Sequence, residues 1–411
     1  KIYGPRPYIY LMAGGWSRFA LRFSEYYDSI SPKSIWTPPR LRTREWMFIP
    51  WGGAPPDRHR AFSDKNSLHS YLRSRAPHSC FHSTAYYQEP SQLKMAEKGW
   101  LGADLIFDLD GDHLPGVSDN DFPAMIEVIQ GQAWRLWNEF LEPEFGFKQK
   151  HAQFTFSGHR GFHIHVRDPS LLHLDSNARR EIVNYIRGEG IDIQSTISDN
   201  SEWGRRALQG IDSTLEKLSS ISSGETGKGA LLDELHGILR TRSNSPQVNL
   251  KSSSRASIEE LAKLTDNEEK VTRLKNDPNL AVFGPKCTPI FWELVKGDSS
   301  VVIGTAGETD EVVTVDTKRV IRWVGSLHGK SGLRVTELPL ERLDPDSGTK
   351  FDPLTEAVVF RGGTVNVRIL AEDVTAEISG DRVEPRLGDE IEVKESMAMF
   401  LCLKGWAEIC K

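Results

Sequence analysis

The order of apolar and polar positions divides this chain into an α/β first part, a helical middle and a β-rich end. Residues 18–30 carry Phe19, Leu21, Phe23, Tyr26 and Tyr27 at spacings that fit an amphipathic helix better than a strand, and a proline-rich connector follows at residues 32–39. Short apolar or aromatic runs next to Gly and Pro predict strands within residues 44–62 and 83–87, with a clearer strand at 103–110. Residues 122–141 read as a helix, and 154–167 as two strands joined by a glycine-containing turn at 157–161. Together these make a βαβ-like alternation.

Residues 177–277 are rich in Glu, Lys, Arg, Leu and Ser at helical spacing, with Ser/Gly-rich breaks at 219–229 and 243–257 that read as mobile loops. Beyond Ala281 the pattern turns back to β, with strands expected at 301–315, at 320–324 and in a tail at 357–391. The expected class is α/β (α+β). Its core is discontinuous, residues 1–176 with 278–411, around a helical insert at 177–277. No internal repeat is visible.

Composition narrows the function. The chain has 411 residues, 38% of them hydrophobic and 26% charged, which suits one large or two modest globular domains. A formal charge of -6 argues against a protein that coats duplex DNA, so any nucleic-acid contact must be local. Cys80, Cys287, Cys402 and Cys410 form no C-x-x-C pair, which speaks against a disulfide scaffold and a cysteine-built zinc site and for a reducing, cytoplasmic setting. No apolar run reaches the roughly 18 residues of a membrane span. The chain opens on Lys1, compatible with a processed or incomplete start or an ordinary cytoplasmic N-terminus.

Three constellations carry chemistry. In ADLIFDLDGDH, strand alternation puts Leu105, Phe107 and Leu109 on one face and Asp104, Ile106, Asp108 and Asp110 on the other. Two carboxylates one repeat apart repel unless a cation lies between them, and hard oxygen donors suit Mg²⁺ or Mn²⁺. The plainer alternative is a strand end that caps a turn at Gly111. In SGHRGFHIHV, Phe162, Ile164 and Val166 alternate with His163, His165 and Arg167. Ser157, the amides of a Gly158/Gly161 turn, Arg160 and His163 can cradle a triphosphate. A tight hairpin with surface histidines, or a zinc site on His163 and His165, are the alternatives. In DEVVTVDTKRVIRWVGSLHGKSGL, Asp310 and Asp316 bracket a strand, and Arg322, His328 and Lys330 follow as positive groups. Taken alone, that stretch also reads as a salt-bridged β surface.

In this order, REWMF, RHRAF, ADLIFDLDGDH, SGHRGFHIHV and IRWVGSLHGKSGL closely resemble the motif series of the archaeo-eukaryotic primase small subunit, archaeal branch, from about residue 18 to the C-terminus. The resemblance implies a mixed-sheet primase catalytic core, with a sheet related to RNA-recognition-motif folds and a helical insert. It implies template-directed synthesis of short RNA or DNA primers by a DNA-directed nucleotidyltransferase using two Mg²⁺ or Mn²⁺ ions. Asp108, Asp110 and Asp310 would be the metal-binding catalytic carboxylates, with Asp316 the lesser candidate for the third. Ser157, Arg160, His163, Arg322, His328 and Lys330 would bind the nucleotide, and Arg58 and Glu45 match motifs of less defined role. Implied partners are a primase large subunit, single-stranded DNA template and nucleoside triphosphates, in a cytoplasmic, nucleoid-associated setting. The chain departs from the pattern in two places. His159 stands where many members have a first of two arginines, and GDHLPGVSDNDFPAM lacks the cysteines of a zinc module, so no structural zinc is expected. A repair-type primase-polymerase that extends existing primers and a non-catalytic nucleic-acid-binding scaffold are the competing readings. Arg40, Arg42, Arg44, Arg58 and Arg60 offer a basic strip for a single strand.

Overall fold

The computed structural model describes residues 16–111, 114, 117–197, 201–224, 227–241, 255–278, 280–298 and 311–410. Its chain forms two compact units, one of Lys1–Gly111, Asp119–Arg180 and Asp310–Lys411, the other of Asp112–Ser118 and Glu181–Thr309.

In the first unit the strand Leu105–Asp110 leads to the helix Phe122–Arg135, which continues through a π turn, Leu136–Leu141, and on to the strand Ala152–Phe156. The strand Gly161–Val166 lies between the two strands and antiparallel to both, so they run parallel to each other. The expected alternation is therefore a split βαβ unit. Thr336–Leu338 completes a four-stranded sheet beyond Ala152–Phe156. Asp121 starts the helix by accepting from the Ala124 amide, with proline in the first turn, where its missing N–H costs nothing. Phe122, Met125, Ile126 and Ile129 are buried on one side of this helix.

A second antiparallel sheet runs in the order Asp57–Arg60, Trp46–Ile49, Ser79–Ser83, Val320–Arg322. The helices Trp16–Ser29 and Lys65–Arg75 supply Phe19, Phe23, Tyr27, Leu68 and Leu72 to a core that includes Trp46, Phe48, Cys80 and Trp323. Asp64 and Ser67 form a capping box at the start of the second helix. The two sheets meet where Ile106 packs with Val313 and Ile321.

The C-terminal part carries the strands Thr364–Ile369, Glu390–Lys394 and Ala407–Ile409 as one sheet, with Ala376–Ile378 and Asp381–Val383 as a hairpin. Helix Glu395–Lys404 interrupts the strand pattern and buries Met397, Phe400 and Leu401. Residues 311–315, expected in a strand, are one helical turn, Glu311–Val315, with Val313 buried and Val312 exposed. A short β-branched run does not by itself distinguish the two states. Residues 301–310 of that expected strand lie outside the described residues.

The second unit is helical. Glu202–Ser223, Lys228–Thr241, Arg255–Thr265, Glu268–Asn276 and Gly284–Gly297 are its longer helices. The last of these falls where β structure is expected after Ala281. Pro285 opens it, and Phe291, Leu294 and Val295 are buried along it. Within this unit Lys217 Nζ lies 2.7 Å from Glu234 Oε1 and 2.9 Å from the buried Asp298 Oδ2, tying three helices together.

Candidate active site

Antiparallel register decides what the two acids face. Asp108 pairs with His163 and Asp110 with Gly161, and directly opposed residues share a sheet face. His163 Nε2 accordingly lies 3.2 Å from Asp108 Oδ1, and Arg160, one residue back in the turn, places Nε 3.2 Å from Asp110 Oδ1. The turn is held from within by Ser157, whose Oγ accepts from the amides of Gly161 at 3.2 Å and His159 at 3.4 Å. Gly158 is needed at φ +83°. A Cβ there would lie 2.9 Å from His328 Cβ and 3.1 Å from the Leu333 carbonyl oxygen. That close approach docks the turn on the His328–Leu333 loop, where Ser331 Oγ donates to the Gly158 carbonyl.

The result is a cavity of roughly 200 Å³ whose wall contains Asp108, Asp110, Ser157, Arg160, His163, Arg322 and His328. Seven residues singled out in the sequence are thus brought together from three separated segments. Lys330 is exposed beside the cavity and does not line it. Asp310 lies outside the described residues. Asp316 is not in the wall, and its Oδ1 accepts from the Lys318 amide at 2.8 Å. The structure adds Phe81, His159 and Arg319 to the wall. Arg319 sits inside the quoted DTKRVIR string, but nothing in its spacing separates it from Lys318.

Charge in the cavity is concentrated. Burial, then repulsion from Asp108, raises the Asp110 carboxyl above its ordinary range. Arg322, with its guanidinium carbon 4.8 Å from the centre of the Phe81 ring, is lowered to about 10 by burial against the pull of Asp108 and remains a cation at neutral pH. His328 and His159 are kept neutral, first by burial and then by neighbouring cations. His328 Nδ1 accepts from the Lys330 amide at 3.1 Å, so the ring proton sits on Nε2.

Two hard-oxygen carboxylates on one face, one of them raised by burial and then by the other, fit a divalent cation that would relieve their repulsion. Among the described residues, no three His, Cys, Asp or Glu side chains converge as a metal-binding group. His165 is buried behind the wall, its ring 6.0 Å from that of His163, with Arg167 Nη2 3.4 Å from its Nδ1.

Other charged candidates have structural partners. Glu45 is buried, with Lys98 Nζ at 3.3 Å, His59 Nδ1 at 3.1 Å and Arg58 Nη2 at 3.7 Å. Arg44 cannot belong to an exposed basic strip. It is fully buried and pairs with Asp104 at 2.9 Å.

A carboxylate pair, guanidinium groups and a hydroxyl-braced turn thus line one small polar cavity. The family model of the DNA primase small subunit matches residues 107–340, which hold every cavity residue named above except Phe81. The chain is 37% identical to the DNA primase small subunit PriS of Methanothrix thermoacetophila, over 94% of this chain and 97% of that one. It is 34% identical to that of Methanocella arvoryzae, over 94% and 96%, and 36% identical to that of Methanosphaerula palustris, over 95% and 97%. The chain belongs to the DNA primase small-subunit family. No described helix is long and apolar enough to cross a membrane.

Proposed function

We propose that this chain is the catalytic subunit of a DNA primase, which makes short RNA or DNA primers on single-stranded DNA from nucleoside triphosphates, working with a large subunit. The observation that carries this reading is that Asp108 and Asp110 share the wall of one cavity with Arg160, Arg322 and His328. Asp108 and Asp110, with Asp310 as the third carboxylate implied by the family, would hold the divalent ions. When bound, Mg²⁺ or Mn²⁺ would activate the 3'-hydroxyl and neutralise the triphosphate.

The chain's own groups do the rest. Ser157 keeps the turn in shape. Arg160 and Arg322 supply fixed positive charge where pyrophosphate leaves, and His328 donates from Nε2 as a neutral imidazole. His163 braces the Asp108 carboxylate. These groups are set before substrate arrives, so little reorganisation remains for the chemical step.

The test uses the full chain, with and without the large subunit, unprimed single-stranded DNA, labelled nucleotides and Mg²⁺ or Mn²⁺. The native chain is expected to make metal-dependent primers that disappear in Asp108→Asn and Asp110→Asn variants of unchanged melting behaviour. Extension of supplied primers only would replace this reading with a repair-type polymerase. No synthesis by a folded, nucleotide-binding chain would leave a non-catalytic scaffold.

A further inference from the structure

We propose that Lys404 is a positioning residue for the triphosphate end of the cavity, acting through His159. This rests on the reading of the cavity as a nucleotide site. Lys404 ends the helix Glu395–Lys404, remote in sequence from every residue of the wall. Its Nζ lies 3.2 Å from His159 Nε2, 4.5 Å from the centre of the Trp406 ring and 5.2 Å from that of Phe122.

Burial, with Arg160 and Lys330 nearby, lowers the ammonium to about 8, so most of it stays charged at neutral pH. His159 is held neutral. The ammonium is therefore the donor and Nε2 the acceptor, which leaves the His159 proton on Nδ1. His159 lies in the cavity wall and stacks on His328 with ring centres 4.8 Å apart and planes at 13°. Two stacked neutral imidazoles are thus each fixed in one tautomer by a different lysine, His159 by the Lys404 side chain and His328 by the Lys330 amide. Each keeps a ring N–H for an anion, and the Lys404 ammonium, mostly charged at neutral pH, lies one ring behind the wall. Neither imidazole carries charge of its own, so this ammonium adds to the positive charge that Arg322 and Lys330 bring to that side of the cavity.

A charge-assisted contact of this kind acts on a bound polyanion more than on the barrier to bond formation. Lys404→Met keeps the aliphatic stem against Trp406 and Phe122 and removes the charge and the donor. It is expected to raise KM for the nucleotide roughly tenfold, with kcat within about threefold of native, and to weaken competition by inorganic tripolyphosphate by a similar factor. Lys404→Arg, which retains both properties, should recover most of the loss, a result that a packing role does not predict.

Tripolyphosphate competition is measured on the native full chain, both Lys404 variants and Arg160→Ala, after matched melting curves. Should Lys404→Met lower thermal stability, the comparison is made between Lys404→Gln and Lys404→Arg at a temperature where both are folded. Weakening in Lys404→Met or Lys404→Gln with rescue by arginine supports the inference. Native affinity in these variants while Arg160→Ala is weakened overturns the role of Lys404 alone. Native affinity in Arg160→Ala as well overturns the nucleotide-site reading and this inference with it.

Discussion

Replacing Asp104 with asparagine should unfold this chain far more readily than its surface acids would, because Asp104 is the shared counter-charge of a buried cluster. Its Oδ2 lies 2.9 Å from Arg44 Nη2 and 3.1 Å from Arg167 Nε, and its Oδ1 accepts from the Tyr86 hydroxyl. Arg44 and Asp104 are both 0% exposed. Arg179 adds a third guanidinium, donating at 2.9 Å to the carbonyls of both Asp104 and Ala103. The amide would leave Arg44 its contacts to the Ser83 and Thr84 carbonyls and the Tyr86 ring, but no anion. An uncompensated buried charge costs about 3–5 kcal/mol, at the upper end of what single substitutions do.

The assay is urea unfolding of the full chain followed by tryptophan fluorescence, since Trp46 and Trp323 are buried in the same unit. The sign of the pH dependence is fixed as well. Against burial, which acts to raise it, Arg44 and Arg167 hold the Asp104 carboxyl below its ordinary value. Its contribution is therefore present above the unfolded value of about 3.9 and is lost as pH falls through the folded one. The gap between native chain and variant should be full at neutral pH and shrink in acid. A loss below about 1 kcal/mol at neutral pH, or a gap that does not shrink, would refute the assignment of this cluster as a buried ionic support.

Two other outcomes follow from the packing of the same unit. Gly161→Ala puts a Cβ 2.6 Å from the Leu109 carbonyl oxygen, so the strand bearing the acids must shift against the turn. Stability should fall by about 1–3 kcal/mol, while primer synthesis falls on the order of a hundredfold at temperatures where the variant is folded. Burial pushes the Cys80 and Cys402 thiols up to about 12. Mass spectrometry after iodoacetamide treatment at pH 8 should find both unmodified in the native chain and both modified after denaturation, because the thiolate is the reactive form.

The constellations legible in the sequence are those set by local rules. Period-2 alternation put Asp108 and Asp110 on one face, and the glycine-flanked turn pointed to Ser157 and Arg160. What alternation could not supply was depth. Asp104 belongs to the same alternating set as Asp108, yet it is fully buried under Arg44, because burial depends on the second sheet packing beside it. The described end of the strand expected at residues 301–315 departs from that expectation for a related reason. This end, Glu311–Val315, is a helical turn whose Val313 fills the gap between Ile106 and Ile321, a long-range contact that a run of valines does not encode. Lys404 was invisible for the same cause, since only folding brings the C-terminal helix to His159.

These placements also reconcile the chain's acidic balance with the polyanionic substrates of the proposed function. The proposed basic strip is largely committed to the fold. Arg44 is buried, Arg60 Nε pairs with Asp57 at 2.7 Å, and Arg42 Nε donates to the Ser63 carbonyl at 2.9 Å. The cations that line the cavity, Arg160, Arg319 and Arg322, stand around a space of roughly 200 Å³, with Lys404 one ring behind. A field focused in a small low-dielectric cavity attracts a triphosphate whatever the sign of the distant surface, and its effect on a bound ligand is screened less by salt than that of an exposed strip. Nucleotide affinity in this chain should therefore depend only weakly on ionic strength, whereas single-strand affinity, resting on exposed groups such as Arg40 and Arg58, should fall steeply with it.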